Sequence, residues 1–143
     1  MKRKKYLGLF IIILIVLIFV GLFLNIFYIK LVNINGKIFM AELALTSQKQ
    51  TKGLSQRKNL CNHCAMLFKF NQSKKWPFWM KGMQFNLDIV WVSDGRIIYM
   101  VKNISYKSKE IITPPIKADQ VLEINAGLSS RFNFKPGDKV RIY

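Results

Sequence analysis

Acidic residues are scarce in this chain: seven Asp and Glu stand against 23 Lys and Arg, a formal net charge of +16 over 143 residues. Histidine occurs once, as His63, and cysteine twice, as Cys61 and Cys64. A Ser-His-Asp set is therefore impossible without His63. Three Cys and His residues also fall one short of the four ligands a structural zinc site takes. No glycine-rich loop is present to cradle a phosphate, and no internal repeat is visible. Nor is there a basic helix, a finger or an RNA-binding sheet motif, so nucleic acid is not an expected partner despite the charge. The lysines are scattered along the sequence. Their summed field favours anionic partners such as lipid head groups or envelope polymers, and it also aids solubility.

Charge is missing altogether from Tyr6 to Ile29, a run of 24 residues. As a helix rising about 1.5 Å per residue it would reach roughly 36 Å, enough to span a bilayer. Lys2, Arg3, Lys4 and Lys5 precede the run, whereas only Lys30 and Lys37 follow closely. This asymmetry predicts a cytoplasmic N-terminus and an extracytoplasmic remainder. A cleaved signal peptide is the competing reading, but its apolar core would be shorter and would end in small residues. Here the run ends in Asn25-Ile26-Phe27-Tyr28. The expected organisation is a basic tail over 1–5, an uncleaved signal anchor over 6–29, a linker over 30–36 and an exported domain over 37–143. Oxidising surroundings would follow for the two cysteines.

The domain reads as short strands between turn signals. Lys37 to Leu45 alternates, with Phe39, Ala41, Leu43 and Leu45 on one face and Glu42 on the other. Ser47 and Gln50 have capping-box spacing, and Gly53 suits the end of a very short helix. Met66 to Phe70 is a second strand. Leu87 to Val92 is a third, and Asp94-Gly95 joins it in a hairpin to Ile97–Ile104. Ser105 to Asp119, with Pro114-Pro115, reads as a long surface loop. Gln120 to Ala126 and Lys139 to Tyr143 are further strands, with one helical turn expected near Leu128. The predicted class is all-β, a compact sandwich or barrel with one or two very short helices.

The order of local motifs is distinctive. It runs Glu42-Leu43-Ala44-Leu45-Thr46, Lys52-Gly53-Leu54-Ser55-Gln56-Arg57, Met66-Leu67-Phe68-Lys69-Phe70, Phe78-Trp79-Met80-Lys81 and Leu87-Asp88-Ile89. Asp94-Gly95-Arg96-Ile97, then Val121 to Gly127, then Gly137-Asp138-Lys139-Val140 complete it. In this order the motifs resemble the domain of unknown function 192 family over essentially all of residues 38–143. The resemblance implies a compact prokaryotic β domain of jelly-roll-like topology, often exported or membrane-anchored, and carries no established activity. Two departures stand out: Ala65 where glycine is common before Met-Leu-Phe, and Gly82-Met83 where Asn-Thr is common after Phe-Trp-Met-Lys.

Two constellations carry candidate chemistry. Cys61-Asn62-His63-Cys64 suits a local disulfide, part of a zinc site, or a redox pair. With Met66, Met80 or Met83 it would also suit copper(I). No cofactor is expected, and zinc or copper at this motif is the alternative to the disulfide. The second constellation is Glu42, Asp88, Glu123, Asn125 and Lys81 around Phe78, Trp79, Met80 and Trp91. Acids on neighbouring strands that converged among aromatic rings would form a concave site for a ligand such as a sugar. In the alternative, each acid lies on a solvated face and the rings are core. No catalytic residue is assigned, although paired carboxylates keep a glycan hydrolase in view. The leading expectation is a membrane-anchored binding or accessory module of the cell envelope, its ligand surface built on Phe78, Trp79, Lys81 and Asp88. An anionic envelope polymer or glycan is the expected partner, and metal or thiol-redox chemistry at Cys61 and Cys64 is the alternative.

Overall fold

The structure is a computed structural model that describes residues 10–19 and 28–143. Residues 10–19 form helix α1. No helix among the described residues is long and apolar enough to cross a membrane. Most of the remaining 6–29 stretch lies outside the described residues, but its end does not belong to a span: Ile29 pairs with Glu42 in the sheet. The segment 30–36, expected as a linker, is also sheet. Ile29–Ile34 is strand β1, and Asn35-Gly36, both at positive φ (48° and 83°), forms the two-residue loop into β2, Lys37–Ala44. Asn-Gly is the sequence such a tight turn favours, because both of its central residues need left-handed backbone. Polar Asn33 masked the strand. It points outward while Val32 and Ile34 are fully buried.

Helix α2, Ser47–Lys52, follows, capped by Thr46, whose Oγ1 accepts from the Lys49 N–H at 3.2 Å. The cap is one residue earlier than the capping-box spacing of Ser47 and Gln50 predicts. Gly53, at φ 52°, ends the helix as expected. The remaining strands are β3 (Cys64–Lys74), β4 (Phe78–Trp79), β5 (Leu87–Ser93), β6 (Arg96–Ile104), β7 (Ile111–Ile112), β8 (Ala118–Asn125) and β9 (Val140–Ile142). Helix α3, Leu128–Arg131, lies between the last two. The long loop expected over 105–119 thus contains β7 and the start of β8.

Seven strands form one sheet in the order β6-β5-β8-β3-β2-β1-β9, and β4 pairs with β7 in a separate ribbon. This is mostly β, as expected, but it is a single curled sheet. The described strands do not form the two packed sheets of a jelly roll. It is also mixed, because β2 and β3 run parallel. The connection holding α2 and the Cys61–Cys64 turn is long enough to carry the chain back to the same end of the sheet. The sheet curls until its edges meet. The Ile97 N–H donates to Asp138 O at 2.9 Å, the Gly137 N–H to Ile97 O at 2.7 Å and the Val140 N–H to Gly95 O at 2.7 Å.

Curling creates two cores, one on each side of the central strands. Inside the curl lie Val32, Ile34, Phe39, Leu67, Val90, Leu122 and Phe134. On the outer face, under α2 and the β4–β7 ribbon, lie Leu54, Met66, Phe68, Phe78, Met80, Leu87, Ile89 and Trp91. Every residue of β5 from Leu87 to Val92 is buried. Both faces of this strand are therefore covered, as is usual for interior strands in α/β proteins but not for a half-solvated β sheet.

Candidate functional site

The alternation of β5 and β8 decides which polar residues can meet. Asp88 lies beside Val90 and Val92 on the inner face, whereas Trp91 and Leu87 face outward. Asp88 is fully buried, and its carboxylate is occupied by backbone. Oδ1 accepts from the N–H groups of Asn103 at 2.8 Å and Gly127 at 3.1 Å, and Oδ2 accepts from Ser129 at 2.8 Å. It ties the end of β6 and the start of α3 to the central strand. Its expected place on the ligand surface is corrected accordingly: both faces of β5 are covered, so alternation away from Trp91 puts Asp88 into the inner core. Met80, 1% exposed, is also core.

Glu123 takes the other face of β8. It pairs in register with Met66 on β3 and Ile89 on β5, so its flanking strands bring only apolar neighbours. The side chain is 5% exposed, and Oε2 has no hydrogen-bond partner among the described residues. Burial pushes its carboxyl up to about 8 from an ordinary 4.5, against the opposing pull of the Arg57 guanidinium and the Leu54 backbone N–H. Glu123 is therefore neutral in the folded protein at pH 7.

Above Glu123 is a cavity of about 280 Å³. Its walls include Phe68, Phe70, Trp76, Phe78 and Trp79, and its rim carries Lys52 and Lys81. The aromatic wall is internally braced. Phe78 meets Phe68 edge-on at 4.9 Å and Trp91 at 5.8 Å, while Phe70 stacks on Trp76 at 3.9 Å. The Trp91 Nε1–H donates to the Trp76 carbonyl at 3.0 Å, fixing the segment that leads into β4. Trp79, by contrast, is 44% exposed and stands at the mouth. Gly53 closes the α2 side. A Cβ there would come within 3.6 Å of Glu123 Oε2 and of Phe68 Cζ. Of the expected ligand residues, Phe78, Trp79, Lys81 and Glu123 do share this cavity.

Asn125 does not line the cavity. Its Nδ2 donates to the carbonyls of Leu60 at 2.8 Å and Cys61 at 3.2 Å, holding the turn before β3. In that turn Cys61 and Cys64 form a disulfide, with Cα atoms 5.0 Å apart. His63 is exposed, and its carbonyl accepts from the Met40 N–H. No group of three or more His, Cys, Asp or Glu among the described residues could hold a metal ion. Glu42 is paired with Arg57 at 2.7 Å, in a hollow on the far side of Gly53. Sequence reasoning missed Lys52, Gly53, Phe70 and Trp76 as cavity residues. The short helix signal at Ser47–Gly53 was legible, but its packing over β3 and β8 was not.

The family profile of the domain of unknown function 192, described as an uncharacterized ACR, matches residues 30–142. No curated protein is detectably similar to this chain. A crystal structure of a protein of unknown function from Novosphingobium aromaticivorans is 36% identical, with TM-score 0.76, over 79% of this chain and 84% of that one. A candidate transcription regulator from Sinorhizobium meliloti is 30% identical, with TM-score 0.75, over 80% of this chain and 95% of its own. With a match over most of its length, this chain belongs to the domain of unknown function 192 family.

Proposed function

We propose that this protein is a membrane-anchored binding module of the cell envelope, and that the cavity between α2 and β4 is its ligand site. One observation carries the reading. An aromatic-walled cavity of about 280 Å³ has at its floor a buried carboxyl with one oxygen, Oε2, left without a partner among the described residues, and two lysines at its rim. Concave sites with mostly apolar walls and a few convergent polar groups are what small-ligand binding requires. Leaving a buried polar atom unpaired costs about 1–3 kcal/mol, and a ligand hydroxyl seated over Oε2 would relieve that cost. The anchor rests on the uncharged run 6–29 behind four basic residues.

Binding is favoured over glycan hydrolysis because the carboxylate pair that such chemistry uses is not assembled at the cavity. Asp88 is bonded to backbone on the other sheet face, and Glu42 is held by Arg57. A redox role at Cys61 and Cys64 has less support, since their disulfide opens a strand and lacks the helix N-terminus that activates a thiol. The description of one relative as a transcription regulator suggests DNA. However, α2 and α3, at six and four residues, are too short to read a major groove.

The test is a panel of neutral and acidic envelope sugars against the full chain in detergent, followed by tryptophan emission and thermal shift. Trp79→Ala should abolish the response of whichever sugar binds and leave the melting temperature nearly unchanged, because Trp79 is half exposed. A response indifferent to Trp79→Ala would place the ligand elsewhere and overturn the reading.

A further inference from the structure

Trp79 does not border one hollow only. It also lines a second depression of about 410 Å³, formed with Lys81, Ser108, Lys109 and Ile111. Trp79 and Lys81 belong to both. Resting on the reading of the first cavity as a ligand site, we propose that the two hollows form one groove for an acidic oligosaccharide. One sugar ring lies over Glu123 and the next lies beyond Trp79.

Four features point to this class. Trp79 lines both hollows and brings indole surface to each, and the apolar faces of sugar rings suit aromatic walls. Lys52 and Lys81 at the first hollow and Lys109 at the second are exposed and make no salt bridge among the described residues. They supply point charges to a polymer with about one negative group per ring, and lysine serves well as a point charge where no fixed fork is needed. The floor is a neutral carboxyl with a free oxygen, able to donate to one sugar hydroxyl and accept from another. Finally, Gly53 leaves room above that carboxyl, since a Cβ at this position would stand 3.6 Å from Oε2.

The donor role of Glu123 makes binding depend on pH. The charged groups on the elements packed around it are Arg57 from the loop after α2, Lys52 from α2 and Lys81 after β4. Arg57 is shared with Glu42, and the flanking strand partners Met66 and Ile89 bring no charge. Burial holds the carboxyl proton on up to about pH 8. Above that, a carboxylate would lose its donor and repel the ligand.

The experiment titrates the full chain in detergent with trigalacturonate, with maltotriose as the neutral control and a short single-stranded DNA as a second polyanion. Trigalacturonate should bind best. Raising the pH from about 6 to about 9 should weaken it about tenfold, as one proton held with a midpoint near 8 requires. Glu123→Gln, which keeps a donor, should bind at both pH values alike. Lys81→Ala and Lys109→Ala should each weaken binding and reduce its salt dependence. Equal or better binding of maltotriose would overturn the acidic-ligand inference while leaving a ligand site in place. Preferred binding of DNA would overturn it in favour of a nucleic-acid partner. A wild-type affinity that does not change with pH would remove Glu123 from recognition. Failure of all three probes to bind would overturn the inference outright.

Discussion

Replacing Asp88 by Asn is the most telling single-atom change in this domain, because the carboxylate is shared among three backbone donors. Oδ1 serves Asn103 and Gly127, and Oδ2 serves Ser129. An asparagine can keep its oxygen at only one of these positions. The less costly choice keeps the first two bonds and turns an NH2 group toward the Ser129 N–H. That leaves one buried donor unsatisfied, at about 1–3 kcal/mol, and removes the charge from the two surviving bonds, at about 1 kcal/mol each. The sum is about 3–5 kcal/mol, a large share of the 5–15 kcal/mol that a domain of this size commonly has. Asp88→Ala should cost more, since it abandons all three donors. Urea unfolding monitored by tryptophan emission would measure this, with exposed Glu110→Gln as a control expected within about 0.5 kcal/mol. An Asp88→Asn variant as stable as that control would refute the structural role, and Asp88 would return to the candidate ligand surface.

Other expectations follow from the two cores and the buried acid. Trp91→Ala empties the fully buried centre of the outer core and removes the bond to the Trp76 carbonyl, so chemical unfolding should show a loss of about 3–5 kcal/mol. Cys61→Ser opens a disulfide that closes only a short loop, and the chain-entropy account gives about 2 kcal/mol by the same measurement. Glu123 keeps its proton when folded up to about pH 8, whereas the unfolded chain releases it near 4.5. The folded state therefore binds the extra proton between these values, and stability falls as pH rises through that window. At pH 7 the loss is on the order of 3 kcal/mol. Urea midpoints across the range should fall more steeply for the wild type than for Glu123→Gln.

Much of the strand pattern was legible because it depends on local signals. Asp94-Gly95 sits at positive φ between β5 and β6, and Gly53 ends α2, as their turn chemistry predicts. The inward faces of β2 and β8 follow simple alternation, with Phe39, Ala41 and Leu43 on one and Leu122 and Ile124 on the other. What alternation could not supply is what lies on the second face of a strand. Opposition to Trp91 suggested solvent for Asp88, yet curling puts that face inside the barrel. The same limit applies to β1, where outward Asn33 and Leu31 looked like a connector until pairing with β2 and β9 is seen. The candidate site was half legible. Phe78, Trp79 and Lys81 are neighbours in sequence, but Glu123 joins them only through the β3-β8-β5 pairing, and Lys52 only through the crossover that carries α2.

The state of the Glu123 proton is the most direct test of the proposed site. Site-specific carbon-13 labelling of glutamate, with Glu123 assigned by comparison with Glu123→Gln, would follow its carboxyl resonance as pH is varied in the ligand-free full-length protein. Burial of the carboxyl at the cavity floor predicts a midpoint near 8, with the group neutral at pH 7. A midpoint near the ordinary 4.5 would show a solvated or ion-paired carboxylate. That result would contradict the neutral donor at the centre of the proposed site.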